Sequence, residues 1–207
     1  MKKINPNGLY LPFPGITVVA SILQKDLNFW NQIYQLLSQS DLLKTYFSPL
    51  PVDSYHVTTL NLCVASDFQA QEWPVYLHTA LKHVYQPMWH YLDAHAFTPE
   101  IHFEHIQTNG AIQLVFTLPE HQQTIIVETA KQFGLETQIP PAYHMTLAYQ
   151  YRDISKDELA RIEDYLHAEV YRVMQSVQHQ CRLNVPTLSY FLDMTAFHPW
   201  DAQKYPF

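Results

Sequence analysis

A chain of 207 residues with 47% hydrophobic content can bury one good core and is too apolar for a disordered segment. Only 15% of its residues are charged and its net charge is −7, so it lacks the clustered Lys and Arg needed to track long nucleic acid, although a local pocket for a small anion needs few cations. The longest apolar run, from Ile16 to Leu23, is eight residues and falls far short of the ~20 that span a bilayer.

In chain order, residues 1–14 read as irregular, with Asn5-Pro6-Asn7-Gly8 a turn signal. Gly15–Leu23 is β-branched and apolar, a buried strand. Asp26 is an N-cap candidate for a helix over Leu27–Gln39, whose Phe29, Trp30, Ile33, Leu36 and Leu37 fall at helical spacing. Leu42–Phe47 reads as a short strand, and Pro49 and Pro51 then force a loop. A strand follows over Ser54–Val64. Gln71–Ala94 is helical but should kink or break at Pro87. Ile101–Gln107 and Ala111–Leu118 flank Thr108-Asn109-Gly110, a strand, Asn-Gly turn and strand. Pro119 precedes a helix over Glu120–Phe133 that Gly134 ends. A strand over Ala142–Tyr151 comes next, then a helix opened by the capping-box pattern Ser155-Lys156-Asp157-Glu158 and reaching about Gln178. Arg182–Val185 and Thr187–Phe191 are strand-like, split by Pro186, and the tail from His198 to Phe207 is aromatic and irregular.

Roughly the same unit of strands and helices thus occurs twice, without a Gly/Ser-rich linker between. The expectation is a single α+β domain over residues 1–207 with two pseudo-symmetric lobes. Each lobe is an antiparallel sheet backed by helices, and a central cleft lies between them.

Two strands carry a repeated pattern. Residues 55–58 are Tyr55-His56-Val57-Thr58 and residues 143–146 are Tyr143-His144-Met145-Thr146, each after a proline-bearing run. With 12 His, 14 Thr and 14 Tyr, random placement gives about 0.8 His-x-Thr triplets, and only about 0.05 with a preceding Tyr. Residues i and i+2 of a strand share a face, so His56 projects with Thr58 and His144 with Thr146. Strand alternation puts Tyr143, Met145, Leu147 and Tyr149 on the opposite, buried face, and makes Tyr55 and Tyr143 packing residues. A cleft between two such strands holds two imidazoles, able to act as base and acid in one phosphoryl displacement, and two hydroxyls able to donate to the non-bridging oxygens.

The constellation resembles the two-histidine (2H) phosphoesterase superfamily, whose mark is one His-x-[Thr/Ser]-x motif in each lobe of a pseudo-symmetric fold. Here the motifs are His56-Val57-Thr58-Thr59 and His144-Met145-Thr146-Leu147, with the two His 88 positions apart; the last position is polar in one and apolar in the other. The run Pro12-Phe13-Pro14-Gly15-Ile16-Thr17-Val18-Val19 resembles the start of a poorly characterised branch. The resemblance implies a metal-independent phosphodiesterase without cofactor. Its substrate would be a nucleotide or short oligonucleotide, opened at a 2′,3′-cyclic phosphate or cut at a 2′,5′ or 3′,5′ linkage, with His56, His144, Thr58 and Thr146 catalytic. Either His can be the acid on the sequence alone. The alternative is a protein that keeps the fold and only binds or senses a nucleotide.

Other features speak more weakly. Tyr149, Tyr190 and Phe191 are candidates for stacking a base, although core packing competes for each. The other ten His suggest a metal, but His78, His83, His90 and His95 show no i, i+4 pair, and neither Cys63 nor Cys181 has a Cys-x-x-Cys partner, so no metal is expected. There is no Gly-rich phosphate loop among four Gly. Two cysteines make no disulfide framework, and both read as buried thiols of a reducing compartment. No signal peptide is evident, so a cytoplasmic protein with no membrane partner is expected; a secretion route without a cleaved signal would leave no mark in the sequence. The sequence leaves the oligomeric state open, with a monomer the favoured expectation.

Overall fold

The computed structural model describes residues 2–69 and 71–200, with the side chains of residues 81 and 82 also left aside. Nine strands and six α-helices are found among these residues. The strands are β1 (Gly15–Ser21), β2 (Phe47–Pro49), β3 (His56–Val64), β4 (Glu100–Gln107), β5 (Ala111–Thr117), β6 (Tyr143–Gln150), β7 (Gln180–Arg182), β8 (Thr187–Phe191) and β9 (His198–Pro199). The helices are α1 (Leu27–Gln39), α2 (Asp41–Lys44), α3 (Glu72–Ala80), α4 (Gln86–Ala94), α5 (Glu120–Phe133) and α6 (Lys156–Gln175). The strands make two sheets, ordered β3-β1-β8-β9 and β2-β6-β5-β4-β7, and every pairing is antiparallel. The two-sheet α+β architecture is the one that the duplicated pattern implies.

The halves are not simply two closed copies. β2 precedes the first motif in sequence yet pairs with β6, the strand of the second motif. β8 and β9 follow the second motif yet complete the sheet of the first. Each sheet therefore ends in strands supplied by the other half of the chain.

Central β1 is buried from Gly15 to Ala20, as its β-branched run requires when both sheet faces are covered. α1 buries Trp30, Ile33 and Leu37, and α6 buries Ile162, Leu166, Val170, Val173 and Met174, the one-sided spacing of an amphipathic helix. Gly110 (φ 72°) closes the β4–β5 hairpin, and Gly134 (φ 64°) ends α5 in the left-handed region, where a Cβ is costly.

Several boundaries differ from expectation. The strand expected over Leu42–Phe47 is helix α2 followed by β2. The Ser40 hydroxyl accepts from the Leu43 amide at 3.4 Å, so a short capped turn wins over β propensity. Asp26 makes no side-chain cap, because a 3-10 turn over Gln24–Asp26 leads into α1 instead. Pro87 does break the long helix: a π-helical segment over Leu81–Tyr85 separates α3 from α4, and Pro87 occupies the first turn of α4, where no amide is needed. α6 stops at Gln175 rather than near Gln178, since Gln178 and His179 adopt positive φ and turn the chain into β7. The strand expected at Arg182–Val185 is β7, which begins two residues earlier; Leu183 then leaves it to bridge Ile22 beside the first sheet. Residues 2–14 are more ordered than an irregular segment. Ile4 and Tyr10 form a β-bridge, the Leu11 amide donates to the Lys3 carbonyl, and Gly8 takes a positive φ at the tip. His198–Pro199 is a strand, and the tail from 201 lies outside the described residues.

Candidate active site

β3 and β6 pack against each other where the two sheets meet, and the line of contact opens into a cleft of about 270 Å³. His56, Thr58, His144 and Thr146 all line it. The local reasons are parallel in the two lobes. Before His56, the Pro51 carbonyl accepts from both the amide and the hydroxyl of Ser54, winding residues 52–54 into a 3-10 turn, so the strand starts at His56 and not at Ser54. The His56 Nδ1–H then donates to the Ser54 carbonyl at 2.6 Å. In the second lobe the His144 Nδ1–H donates to the Ala142 carbonyl at 3.2 Å. A carbonyl only accepts, so each bond holds the proton on Nδ1 and leaves Nε2 as the basic nitrogen.

A second parallel follows each motif. β3 carries a bulge at Thr59, between the pairs Val19–Thr58 and Val18–Leu60, and β6 carries one at Leu147, between Gln113–Thr146 and Ile112–Ala148. The fourth motif position is thus the extra residue in both strands, and both are buried, the Thr59 hydroxyl donating to the Val18 carbonyl at 3.3 Å. A bulge shifts the alternation by one. This overturns the placement of Tyr149 on the far face: beyond Leu147 the strand turns Tyr149 into the cleft, and beyond Thr59 it turns Asn61 there.

The two imidazoles differ in setting. The Phe197 ring lies 3.9 Å from the His56 ring between centroids, and burial pushes His56 down to about 4, with only partial compensation from the Ser54 carbonyl. Burial also lowers His144, which sits in a more open position. Thr146 is oriented by a relay: Gln107 Nε2 donates to Gln113 Oε1 at 2.6 Å, and Gln113 Nε2 donates to Thr146 Oγ1 at 3.0 Å. The Thr146 hydroxyl proton is left to donate into the cleft. No short motif marks Gln107 or Gln113; only the hairpin register brings them to Thr146.

Of the weaker candidates, Tyr149 and Phe191 line the cleft. Tyr190 does not; its ring faces His198 at 5.2 Å. Tyr55 is fully buried, edge-on to Trp30, as the packing reading requires. Sequence reasoning missed Lys3, Phe13 and Phe197, which reach the cleft from irregular segments. Among the described residues no group of three or more His, Cys, Asp or Glu could hold a metal ion. Cys63 and Cys181 are free but half-buried rather than fully buried, and burial raises both thiols, Cys181 to about 12. No helix among the described residues is long and apolar enough to cross a membrane.

Comparison with known proteins places the fold in context. The family model 2H-phosphodiest, described as "Domain of unknown function (DUF1868)", matches residues 3–112, more than half of the chain, including the first motif but not the second. Uncharacterized protein 127L of Invertebrate iridescent virus 6 is 40% identical over 67 residues, which are 31% of this chain and 28% of the viral protein. The crystal structure of the conserved protein of unknown function ATU0111 from Agrobacterium tumefaciens superposes with a TM-score of 0.70 at 18% identity, covering 96% of this chain and 89% of that one. Kluyveromyces marxianus Usb1, solved with uridine monophosphate, gives a TM-score of 0.46 at 10% identity, covering 91% of this chain and 98% of its own.

Proposed function

This chain belongs to the DUF1868 family of 2H phosphodiesterases, and from that membership we propose that it is a metal-independent phosphodiesterase acting on a nucleotide or short oligonucleotide. One observation carries the reading. Two imidazoles on separate sheets line one cleft, each with Nδ1–H bonded to the carbonyl two residues back and each with a threonine hydroxyl two residues on. Binding alone would not need two basic nitrogens held in the same tautomer.

His56 is the general base. Burial keeps it unprotonated, so its Nε2 takes the proton of the attacking water or hydroxyl. His144, the less enclosed of the two, is protonated when the anionic phosphodiester enters and donates to the leaving ribose oxygen. Thr58 and Thr146 donate to the equatorial oxygens, where charge grows in the transition state. Phe191, Phe197 and Tyr149 offer apolar faces against which a base can lie. A cleft near the small end of ligand-site volumes suits one nucleotide unit at a time and matches a chain too acidic to track a long strand.

The test is turnover in EDTA of 2′,3′-cyclic mononucleotides, 2′,5′-oligoadenylate, 3′,5′-cyclic dinucleotides and RNA with free 3′ ends. His56→Ala and His144→Ala should each lose ~10²–10⁴-fold on whichever substrate is cut. Near-wild-type turnover by either variant would overturn the mechanism. Tight binding of a nucleotide recovered unchanged would assign the cleft to sensing.

A further inference from the structure

The cleft holds a cation that neither motif supplies. Lys3 is the lysine or arginine among the described residues lining it, and it arrives on the N-terminal hairpin rather than on a sheet. That hairpin is fixed internally by the Ile4–Tyr10 bridge, by the Leu11 amide on the Lys3 carbonyl at 3.0 Å, and by the Asn5 side chain, whose Oδ1 accepts from the amides of Asn7 and Leu9. It is also tied to both sides of the cleft. The Phe13 amide donates to the Leu192 carbonyl just past β8, and the Tyr10 hydroxyl donates to the Ser48 carbonyl of β2 at 2.7 Å.

The ammonium is held without being neutralised. Lys3 Nζ lies 5.2 Å from the ring centroids of both Phe13 and Tyr149 and donates to the Tyr149 hydroxyl at 3.2 Å. Aromatic faces steady a cation but leave its charge in place. The ion pairs among the described residues join Lys44 to Asp41, Arg172 to Glu169 and Arg182 to Glu100, and none involves Lys3. An ammonium has three donors, so two remain beyond the bond to Tyr149. Lys3 lines the same cleft as His56 and His144, and its charge acts to lower both imidazoles, so it lies beside the reacting centre and not at a distant subsite.

We propose that Lys3 binds a non-bridging oxygen of the substrate phosphate, so that the N-terminal hairpin is a working arm of the active site. The inference rests on the phosphodiesterase reading, and it names the cation that an acidic protein needs where its anionic substrate reacts. A charged hydrogen bond from Lys3 stabilises the phosphate before and during reaction, in a chain whose net charge of −7 otherwise repels it.

Inorganic phosphate is the probe, followed by NMR of the imidazole carbon-bound protons. Phosphate should bind the wild type saturably and shift both His56 and His144. Lys3→Met should weaken that binding roughly 10-fold, as loss of a charged hydrogen bond does, and should move both imidazole titrations to higher pH. Lys3→Arg should restore most of the affinity, which a variant that merely unfolded the hairpin would not. Phosphate affinity unchanged in Lys3→Met, or no saturable binding to the wild type, would overturn the inference. Turnover by the His56→Ala and His144→Ala variants judges the phosphodiesterase reading separately, so the two can fail independently.

Discussion

At the scale of the residue, the two histidines are alike in connection and unlike in surroundings. Both give Nδ1–H to a backbone carbonyl, yet Phe197 closes over His56 while His144 stands more open. Burial penalises the imidazolium, so both titrate below the ordinary value of 6.5, His56 near 4. On the proposed mechanism the free protein works only with His56 neutral and His144 protonated. The kcat/KM profile should therefore be a bell whose rising limb lies near pH 4 and whose falling limb lies below 6.5. Bound phosphodiester favours imidazolium, so the falling limb of kcat should lie at higher pH than that of kcat/KM. A kcat/KM profile still rising at pH 8 would exclude these assignments. The same shifts bear on stability. The unfolded chain takes protons on these histidines below about 6.5 that the folded chain refuses, so stability is lost as pH falls from there toward 4.

Among the elements, strand β1 shows how tightly the cleft is backed. A Cβ added at Gly15 would stand 2.5 Å from Phe191 Cζ, 2.8 Å from the Cys63 carbonyl oxygen and 2.9 Å from Val64 Cγ1. The Phe191 ring can shift, but the Cys63 carbonyl belongs to the β1–β3 pairing and cannot. Gly15→Ala should cost ~1–3 kcal/mol of overpacking, read as a lower denaturant midpoint. It should also weaken substrate binding, because Phe191 lines the cleft. An unchanged midpoint would show that β1 and β3 are free to part there. Elements of this kind were legible in part. The repeated Tyr-His-x-Thr fixed both motif strands and the shared face of each His-Thr pair, because i and i+2 follow from strand geometry alone. Alternation could not reveal the bulges at Thr59 and Leu147. A bulge depends on the register against β1 and β5, which is why Tyr149 turned out on the cleft face. Lys3 and Phe197 stayed hidden for a related reason: each sits in a segment without periodicity, and only tertiary contacts carry it to the site.

The whole molecule is stitched by exchange between its halves. β2 comes from before the first motif and lies on β6, while β8 and β9 come from after the second motif and close the sheet of β1 and β3. The Leu50 amide donates to the Leu147 carbonyl, tying the loop before His56 to the bulge after Thr146. The N-terminal hairpin adds bonds to both sides of the cleft. Neither sheet can be completed by a contiguous half of the chain, so neither lobe should hold its fold alone. We therefore expect residues 1–207 to unfold as one domain in a single cooperative transition, with calorimetric and van't Hoff enthalpies equal. Two separated heat-absorption peaks would show instead that the lobes are independent. Cooperativity of this kind also serves the chemistry. His56 and His144 sit on different sheets, and the proposed displacement shared between them needs their separation fixed to within a fraction of an ångström, since a misplacement of about 1 Å can cost ~10²-fold in rate. Strands exchanged across the cleft make any opening of one lobe an opening of both. Loosening the exchange should therefore lower turnover before it unfolds the protein. Ser48→Pro tests this at β2, where Ser48 faces Tyr149 and its carbonyl receives the Tyr10 hydroxyl. Turnover should fall while the thermal transition stays single, and wild-type turnover in that variant would show that β2 does not set the spacing of the two histidines.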